Sequence, residues 1–418
     1  MASIILTVFF RLSGALSKFV LFLYLGRMVE TAQIGLLGII YAVLAIFVQL
    51  VGAELHYVNS REIVSSAKAH AAGLIRGQLL LHFVSYFLIV PVLSLVFLFG
   101  ILDWMYFYLV LCLLIAEHLG QELFRFLQFC FRPVLGALVL FIRSGVWVFI
   151  FIGAVEHYDI VPSIQNILKI WLSSALLAVI FGAYFIRDFL FDRQAISVFT
   201  LKWAATALKK ASPFFVSMAC FSLFQYIDRF ILNYTLGPAS VGIFFFLASL
   251  ASFLQVFVTF SVGVFYGPRA IRAFHQEGLK RYLEVRSTFI KRSVVFCFVG
   301  LVPALVLISP VLNFVGKADY ISYVHVFFLM LVANGMMIGA DFANLDLYVR
   351  NLDREMMFST ILGLVIAFII QIASIVILGV TGAAIGAILS TIGIWITRRL
   401  VYAKAIAVSP NLLFTPRL

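Results

Sequence analysis

MFSTILGLVIAFIIQIASIVILGVTGAAIGAILSTIGIWIT, residues 357–397, carries no charged side chain and is closed by Arg398 and Arg399. A helix crosses the hydrocarbon core of a bilayer in about 20 mostly apolar residues. The stretch therefore holds two crossings, 357–378 and 381–402, with Gly379 and Gly382 around the turn. Carried outward along the chain, the same reading finds apolar runs at 4–26, 33–53, 77–100, 103–124, 134–155, 166–187, 213–235, 239–266, 293–314 and 321–344. The expected fold is an all-α polytopic membrane protein of twelve transmembrane helices, because lipid leaves each backbone polar group to be satisfied within its own helix.

The composition agrees. The chain is 64% hydrophobic and 11% charged, with a mean hydropathy of +1.13. A soluble domain carries about a quarter of its residues charged, so most of this exterior must be solvated by lipid. A net charge of +12 would suggest nucleic-acid binding in a soluble protein, but in a membrane protein positive charge collects on cytoplasmic loops. No nucleic-acid partner is expected. With the N-terminus in the cytoplasm, 23 Lys and Arg residues, from Arg61 and Lys68 to Lys404 and Arg417, fall on that side, against Arg27, Lys169 and Lys317 on the other. Both termini are therefore expected in the cytoplasm, with an even number of spans. The first apolar run contains Arg11 and Lys18 and reads as a retained span, not a cleaved signal. Cys112, Cys130, Cys220 and Cys297 are scattered in apolar segments and read as packing residues.

The longest polar stretches lie near 188–212 and 267–292. The first divides the spans six and six, giving an N-terminal bundle at 1–190, a cytoplasmic linker at 191–212 and a C-terminal bundle at 213–418. The halves share ordered features. Leu25-Gly26 leads to Gly35 in one and Leu236-Gly237 leads to Gly242 in the other. Gln128 and Arg132 show the same four-residue step as Arg350 and Arg354, which would place each pair on one helix face. Two such halves imply a pseudo-two-fold axis along the membrane normal and a V-shaped transporter with a central cavity; chance likeness between apolar helices is the alternative. Ala270–Arg292 reads as a basic amphipathic helix lying on the cytoplasmic leaflet.

Ionisable residues inside spans cost about 2.5–3.5 kcal/mol each at the bilayer centre, so each should face a partner or a watery cavity. Arg11 and Lys18 lie seven apart, on one face of the first span. Glu117 and His118 are in the fourth span, Arg143 in the fifth, Asp228 and Arg229 in the seventh and Asp341 in the tenth. The cations Arg11, Lys18, Arg143 and Arg229 suit an anionic headgroup, since the arginine fork holds two phosphate oxygens at once. Snorkelling of Arg11 to the interface and structural ion pairing of Asp228 are the blander readings. Glu117, His118, Asp228 and Asp341 are candidates for ion coupling or charge pairing. No glycine-rich phosphate loop or metal-ligand spacing stands in the sequence, so no enzyme activity, metal or cofactor is expected.

Taken in order, several segments resemble the polysaccharide repeat-unit flippases of the multidrug/oligosaccharidyl-lipid/polysaccharide exporter superfamily. They are the early span with Arg11 and Lys18, Leu25-Gly26 before Gly35, Tyr226-Ile227-Asp228-Arg229-Phe230-Ile231-Leu232 before Leu236-Gly237 and Gly242, and Gly379-Val380-Thr381-Gly382-Ala383-Ala384. The resemblance implies a transporter of the bacterial inner membrane. Its cargo would be an undecaprenyl-pyrophosphate-linked oligosaccharide, flipped from the cytoplasmic to the periplasmic leaflet for O-antigen or capsule. A proton or sodium gradient would drive it, and a polysaccharide polymerase and chain-length regulator would be its partners. The alternative function is an ion-coupled multidrug or metabolite exporter of the same superfamily. A polymerase or ligase would need a larger outward loop than 154–166, and a peptidoglycan-precursor flippase would carry further spans.

Overall fold

The computed structural model describes residues 2–413, without the side chains of 2–5, 15, 61 and 413. Arg417 and the Arg61 side chain, both used in the orientation argument, lie outside the described residues. Long helices dominate: α1 Ala2–Met28, α2 Thr31–Gly52, α3 Lys68–Leu98, α4 Trp104–Phe129, α5 Pro133–Tyr158 and α6 Ile164–Phe185. After them come α7 Leu201–Leu236, α8 Pro238–Glu277, α9 Leu279–Val315, α10 Val324–Tyr348 and a final run Asp353–Val408. Among the described residues eleven helices are long and apolar enough to cross a membrane.

The final run accounts for the difference between eleven and twelve. Its 56 residues would reach about 84 Å as one rod, against a hydrocarbon core of about 30 Å. Gly379 breaks it with φ 60° and ψ −135°, a backbone state open chiefly to glycine. The arms, α11 (353–378) and α12 (380–408), then fold back on each other. Gly382 meets the Ser374 carbonyl, Gly386 meets Gln371 and Gly393 meets Ile366, while the Thr397 hydroxyl donates to the Ser359 carbonyl at 3.4 Å. These pairings are those of an antiparallel helical hairpin, so the described residues hold twelve candidate crossings.

The chain divides into two compact units, residues 1–29 with 36–222 and residues 30–35 with 223–418. The division falls within α7, which begins at Leu201, so the second part of the expected linker is helical. In unit 1, Leu74 and Ile75 of α3 pack with Leu123, Phe126 and Leu127 of α4, Val139 of α5 and Ala178 of α6. The opposite face of α3 exposes Leu80, Phe83 and Phe87, the pattern of a helix whose outer solvent is lipid. In unit 2, the buried Asp346 carboxylate accepts from the Tyr282 hydroxyl at 2.6 Å and from Nε and Nη2 of Arg286, both at 2.7 Å. The buried Arg350 donates to the Asp346 and Leu412 carbonyls at 2.9 and 3.0 Å.

Two expectations are corrected. Gln128/Arg132 and Arg350/Arg354 do not share helix faces, because each step spans a turn between helices. The turns themselves are alike. Phe131 and Asn351 have φ 59° and 56°. The Arg132 amide donates to the Leu127 carbonyl, and the Leu352 amide to the Leu347 carbonyl, at 2.8 and 3.2 Å. Structurally Arg132 therefore matches Leu352, and the repeated element is the helix-closing turn. Ala270–Arg292 is not one surface helix either. Gly278, at φ 89°, separates the end of α8 from α9. Its apolar members Ala270, Ala273, Phe274 and Tyr282 form a small core with Val349.

Beside the first of these turns, Asp188 takes bidentate bonds from Arg132 at 2.8 and 2.7 Å, and Lys68 Nζ lies 3.3 Å away. The Arg132 hydrogen bonds, aided by Lys68 and opposed by partial burial, hold its carboxyl down to about 2. A depressed carboxyl contributes stability above its ordinary value of 3.8 and loses it as pH falls toward 2. Because Asp188 is 36% exposed, screening limits the contribution to about 0.5–1 kcal/mol. Asp188→Asn should lower Tm slightly at pH 7, and the gap from wild type should narrow from pH 5 to pH 3 in melting curves. An equal gap at both pH values would refute the assignment.

Candidate functional site

In unit 1, α5 contains a π-helical turn at Ile142–Val146. Such a turn frees a carbonyl and shifts the helix face, and π-turns are often found at functional sites. The Ser174 hydroxyl of α6 satisfies the freed Ile142 carbonyl at 2.6 Å. Within this turn Arg143 reaches toward α4, where its Nη1 donates to Glu117 Oε2 at 2.7 Å and to the Glu117 carbonyl at 3.1 Å. The other carboxylate oxygen accepts from Trp171 Nε1 at 2.8 Å. Trp171 is stacked between Tyr41 and Trp147, at centroid distances of 4.6 and 5.5 Å. Glu117 and Arg143 stay 14% and 13% exposed, so the pair is largely but not fully enclosed.

Lys18 joins them from α1. Its neighbour Ser17 is buried against Gly145, which places Lys18 beside the π-turn with its side chain exposed. Its charge acts on both Glu117 and Arg143. Two cations and one carboxylate leave this trio with a surplus positive charge. Arg11, two helical turns away, lies 5.8 Å from the Phe124 ring of α4. Thus Lys18 and Arg11 of α1 follow Glu117 and Phe124 of α4 at matching seven-residue steps.

Asp228 and Arg229 sit in unit 2, where both line a cavity of about 260 Å³. Adjacent helical residues point about 100° apart. Arg229 turns its guanidinium onto Tyr226 and Phe245, 4.7 and 4.5 Å from the ring centroids, while Asp228 Oδ1 accepts from the Arg229 amide at 2.7 Å. Gln225, Asn334, Gln371 and Thr391 add neutral polar groups to the lining. Asp341 is elsewhere, 54% exposed and 3.8 Å from the buried Arg398. Of the three acids singled out in the sequence, Glu117 is clamped by a cation and Asp341 faces one. Asp228 lines the cavity with Gln225, Asn334, Gln371 and Thr391, and Arg229 is its charged neighbour there.

His118 points away from Glu117 into a second polar cluster of unit 1, whose other members sequence reading passed over. Its Nδ1 lies 2.8 Å from the Tyr86 hydroxyl, and its ring stands edge-on to His82 at 4.6 Å. Glu122 accepts from Gln78 Nε2 and Arg125 Nη1, both at 2.6 Å, and Asn59 Nδ2 donates to Gln78 Oε1 at 2.8 Å. Glu54, in the turn after α2, accepts from Gln49, and burial pushes its carboxyl up to about 6. The available signal was a doubled four-residue step, Gln78/His82 on α3 and His118/Glu122 on α4, since such residues share a helix face.

The apolar crossings of the described residues, with charged side chains embedded among them, define a multi-pass integral membrane protein. The fold is similar over 96% of this chain to the inward-facing conformation of a multidrug resistance MATE family transporter of the MOP superfamily, with a TM-score of 0.74, 12% identity and 99% of that chain covered. The outward-facing conformation of a transporter of that description gives 0.63 at 13% identity, over 97% and 96% of the two chains. Vibrio cholerae MATE transporter VcmN in the bent form gives 0.54 at 17% identity, over 99% and 98%. No curated protein matches the chain in sequence. The sequence pattern of polysaccharide biosynthesis proteins does match, over residues 1–269. The chain belongs to that polysaccharide biosynthesis protein family, and its fold is similar to that of the MATE transporters above.

Proposed function

We propose that the protein is a flippase that moves an undecaprenyl-pyrophosphate-linked oligosaccharide from the cytoplasmic to the periplasmic leaflet of a bacterial inner membrane, for O-antigen or another surface polysaccharide. The observation that carries this reading is the surplus cation of the Lys18–Glu117–Arg143 trio, with Lys18 exposed and Arg143 partly exposed. A pyrophosphate brings the complementary charge, and polar binding energy is large where water is scarce. The prenyl tail stays in lipid while the headgroup site is exposed to the two sides in turn, with both termini cytoplasmic. A polymerase and chain-length regulator would receive the product. Deleting the gene should deplete surface polysaccharide and accumulate lipid-linked repeat units on the cytoplasmic side. Normal polysaccharide in the deletion strain would end the proposal.

Energy enters in this reading through a proton or sodium ion at Asp228, the acid that borders a cavity with Gln225, Asn334, Gln371 and Thr391. Arg229 lines the same cavity but turns its guanidinium onto Tyr226 and Phe245, so the Asp228 carboxylate with the neutral side-chain oxygens would take a proton or a hard monovalent cation. In proteoliposomes, Asp228→Asn should abolish the acceleration that an imposed gradient gives, leaving headgroup affinity within about twofold of wild type, well below the tenfold that 1.4 kcal/mol represents. Unchanged gradient dependence would exclude Asp228. The same cavity supports a second reading, an ion-coupled exporter of organic cations, because Tyr226 and Phe244 stand beside Asp228 in its lining. Raised tolerance to cationic dyes on overexpression, with surface polysaccharide unchanged on deletion, would favour it.

A further inference from the structure

We propose that His82, His118 and Glu122 form a binding site for a divalent transition-metal ion of the zinc type, buried within unit 1. Their donor atoms all lie within 4.8 Å of one another, and the three residues are 0%, 1% and 1% exposed. Two imidazoles and a carboxylate are a ligand set that takes zinc or cobalt and leaves one coordination position open. Hard cations such as sodium or magnesium prefer oxygen alone.

The geometry favours a bound ion over simple packing. His82 Nε2 and Glu122 Oε2 are 3.4 Å apart, yet neither ring nitrogen of His82 has a hydrogen-bond partner among the described residues, nor does His118 Nε2. Native proteins rarely leave such atoms unpaired in one place. Two ligands held at 2.0–2.1 Å on a tetrahedral ion stand about 3.3 Å apart, close to the 3.4 Å between His82 Nε2 and Glu122 Oε2, while the three donors together lie within 4.8 Å. The outer groups are also those a metal site needs. The Tyr86 hydroxyl, 2.8 Å from His118 Nδ1, orients that ring and leaves Nε2 as its donor. Gln78, braced by Asn59, and Arg125 fix the Glu122 carboxylate. Oε2, with two lone pairs, keeps one for a metal after accepting from Gln78. Glu54 and Glu122 against Arg125 leave an excess of negative charge, the sign a cation requires.

The site is distinct from the headgroup trio although His118 follows Glu117 directly, because adjacent helical residues point about 100° apart. It ties α3 to α4, and its existence does not depend on which cargo the protein carries.

The test uses the full chain, purified without a histidine tag, stripped with chelator and titrated with Co²⁺ and then Zn²⁺. One equivalent of Co²⁺ should bind with the visible absorption of a tetrahedral centre, Zn²⁺ should displace it, and loading should raise Tm. His82→Gln and His118→Gln should each lose the band and the Tm shift, whereas His275→Gln, at an exposed position in unit 2, should keep both. Tyr86→Phe keeps every ligand and should weaken affinity about 10- to 100-fold, so it decides the matter if the ligand variants fail to fold. The proposal is overturned if wild type takes up no equivalent at micromolar metal. It is equally overturned if metal persists in the His82→Gln and His118→Gln proteins, or if Tyr86→Phe binds as wild type does.

Discussion

Replacing Lys18 and Arg143 together by Ala should slow translocation of a pyrophosphate-linked headgroup by about 10²- to 10⁴-fold. A hydrogen bond to a charged group contributes about 1.5–3 kcal/mol, two such groups about 3–6, and each 1.4 kcal/mol is a factor of ten. The complication is Glu117. Arg143 donates to it at 2.7 Å, and breaking a buried pair from one side costs about 3–5 kcal/mol in stability. A loss of transport in Arg143→Ala therefore has two sources, one functional and one structural. Adding Glu117→Gln separates them. Without a carboxylate to leave uncompensated, the Arg143→Ala/Glu117→Gln protein should recover most of the lost Tm, while transport stays low. Arg143→Lys keeps the charge but not the planar fork, and should fall between wild type and Ala. Rates measured in proteoliposomes beside melting curves of the same preparations supply both readouts. Near-wild-type transport by the Lys18→Ala/Arg143→Ala protein would remove the headgroup site.

Lys18, Arg143 and Glu117 were legible in the sequence because a charge in an apolar helix is conspicuous and costly. What the sequence did not show is that they meet. That depends on the π-turn at Ile142–Val146, and no residue pattern there distinguishes a π-turn from an ordinary helical one. Crossing 12 was legible from length alone, because residues 357–397 are too long for one span. The helix assignment by itself joins both arms through Gly379, and the glycine's positive φ is what parts them. The repeat was legible in the wrong place. Arg132 and Arg350 drew the eye, but the conserved geometry belongs to the left-handed Phe131 and Asn351, residues with little in common chemically. His82, Gln78 and Glu122 were missed for another reason. Their four-residue steps put them on one face of α3 and one face of α4, but nothing in the sequence says that those two faces meet.

Gly35 and Gly242 provide the sharpest test of the close helix contact in unit 2. A Cβ at Gly35 would stand 1.8 Å from the Pro238 carbonyl oxygen, and one at Gly242 would stand 1.9 Å from that of Thr31. The contact is reciprocal: each glycine meets the carbonyl four residues before the other, as two equivalent helix starts do when they cross. Real Cβ atoms do not approach backbone within 3 Å, so either substitution must drive the two backbones apart by more than an ångström, and backbone cannot swing aside as a flexible side chain does. Small residues allow such approach in membrane helices, where close packing replaces the hydrophobic effect as the cohesive force. Gly35→Ala and Gly242→Ala should each cost about 1–3 kcal/mol by overpacking, and larger side chains should prevent accumulation of folded protein. Gly153→Ala is the matched control. Nothing lies within 4 Å of a Cβ there, and Ala is the better helix former by about 1 kcal/mol, so that variant should melt at or above the wild-type temperature. Opposite signs from one chemical change rule out any general intolerance of alanine. If Gly242→Ala melted like Gly153→Ala, the helices would have to be farther apart than this contact requires.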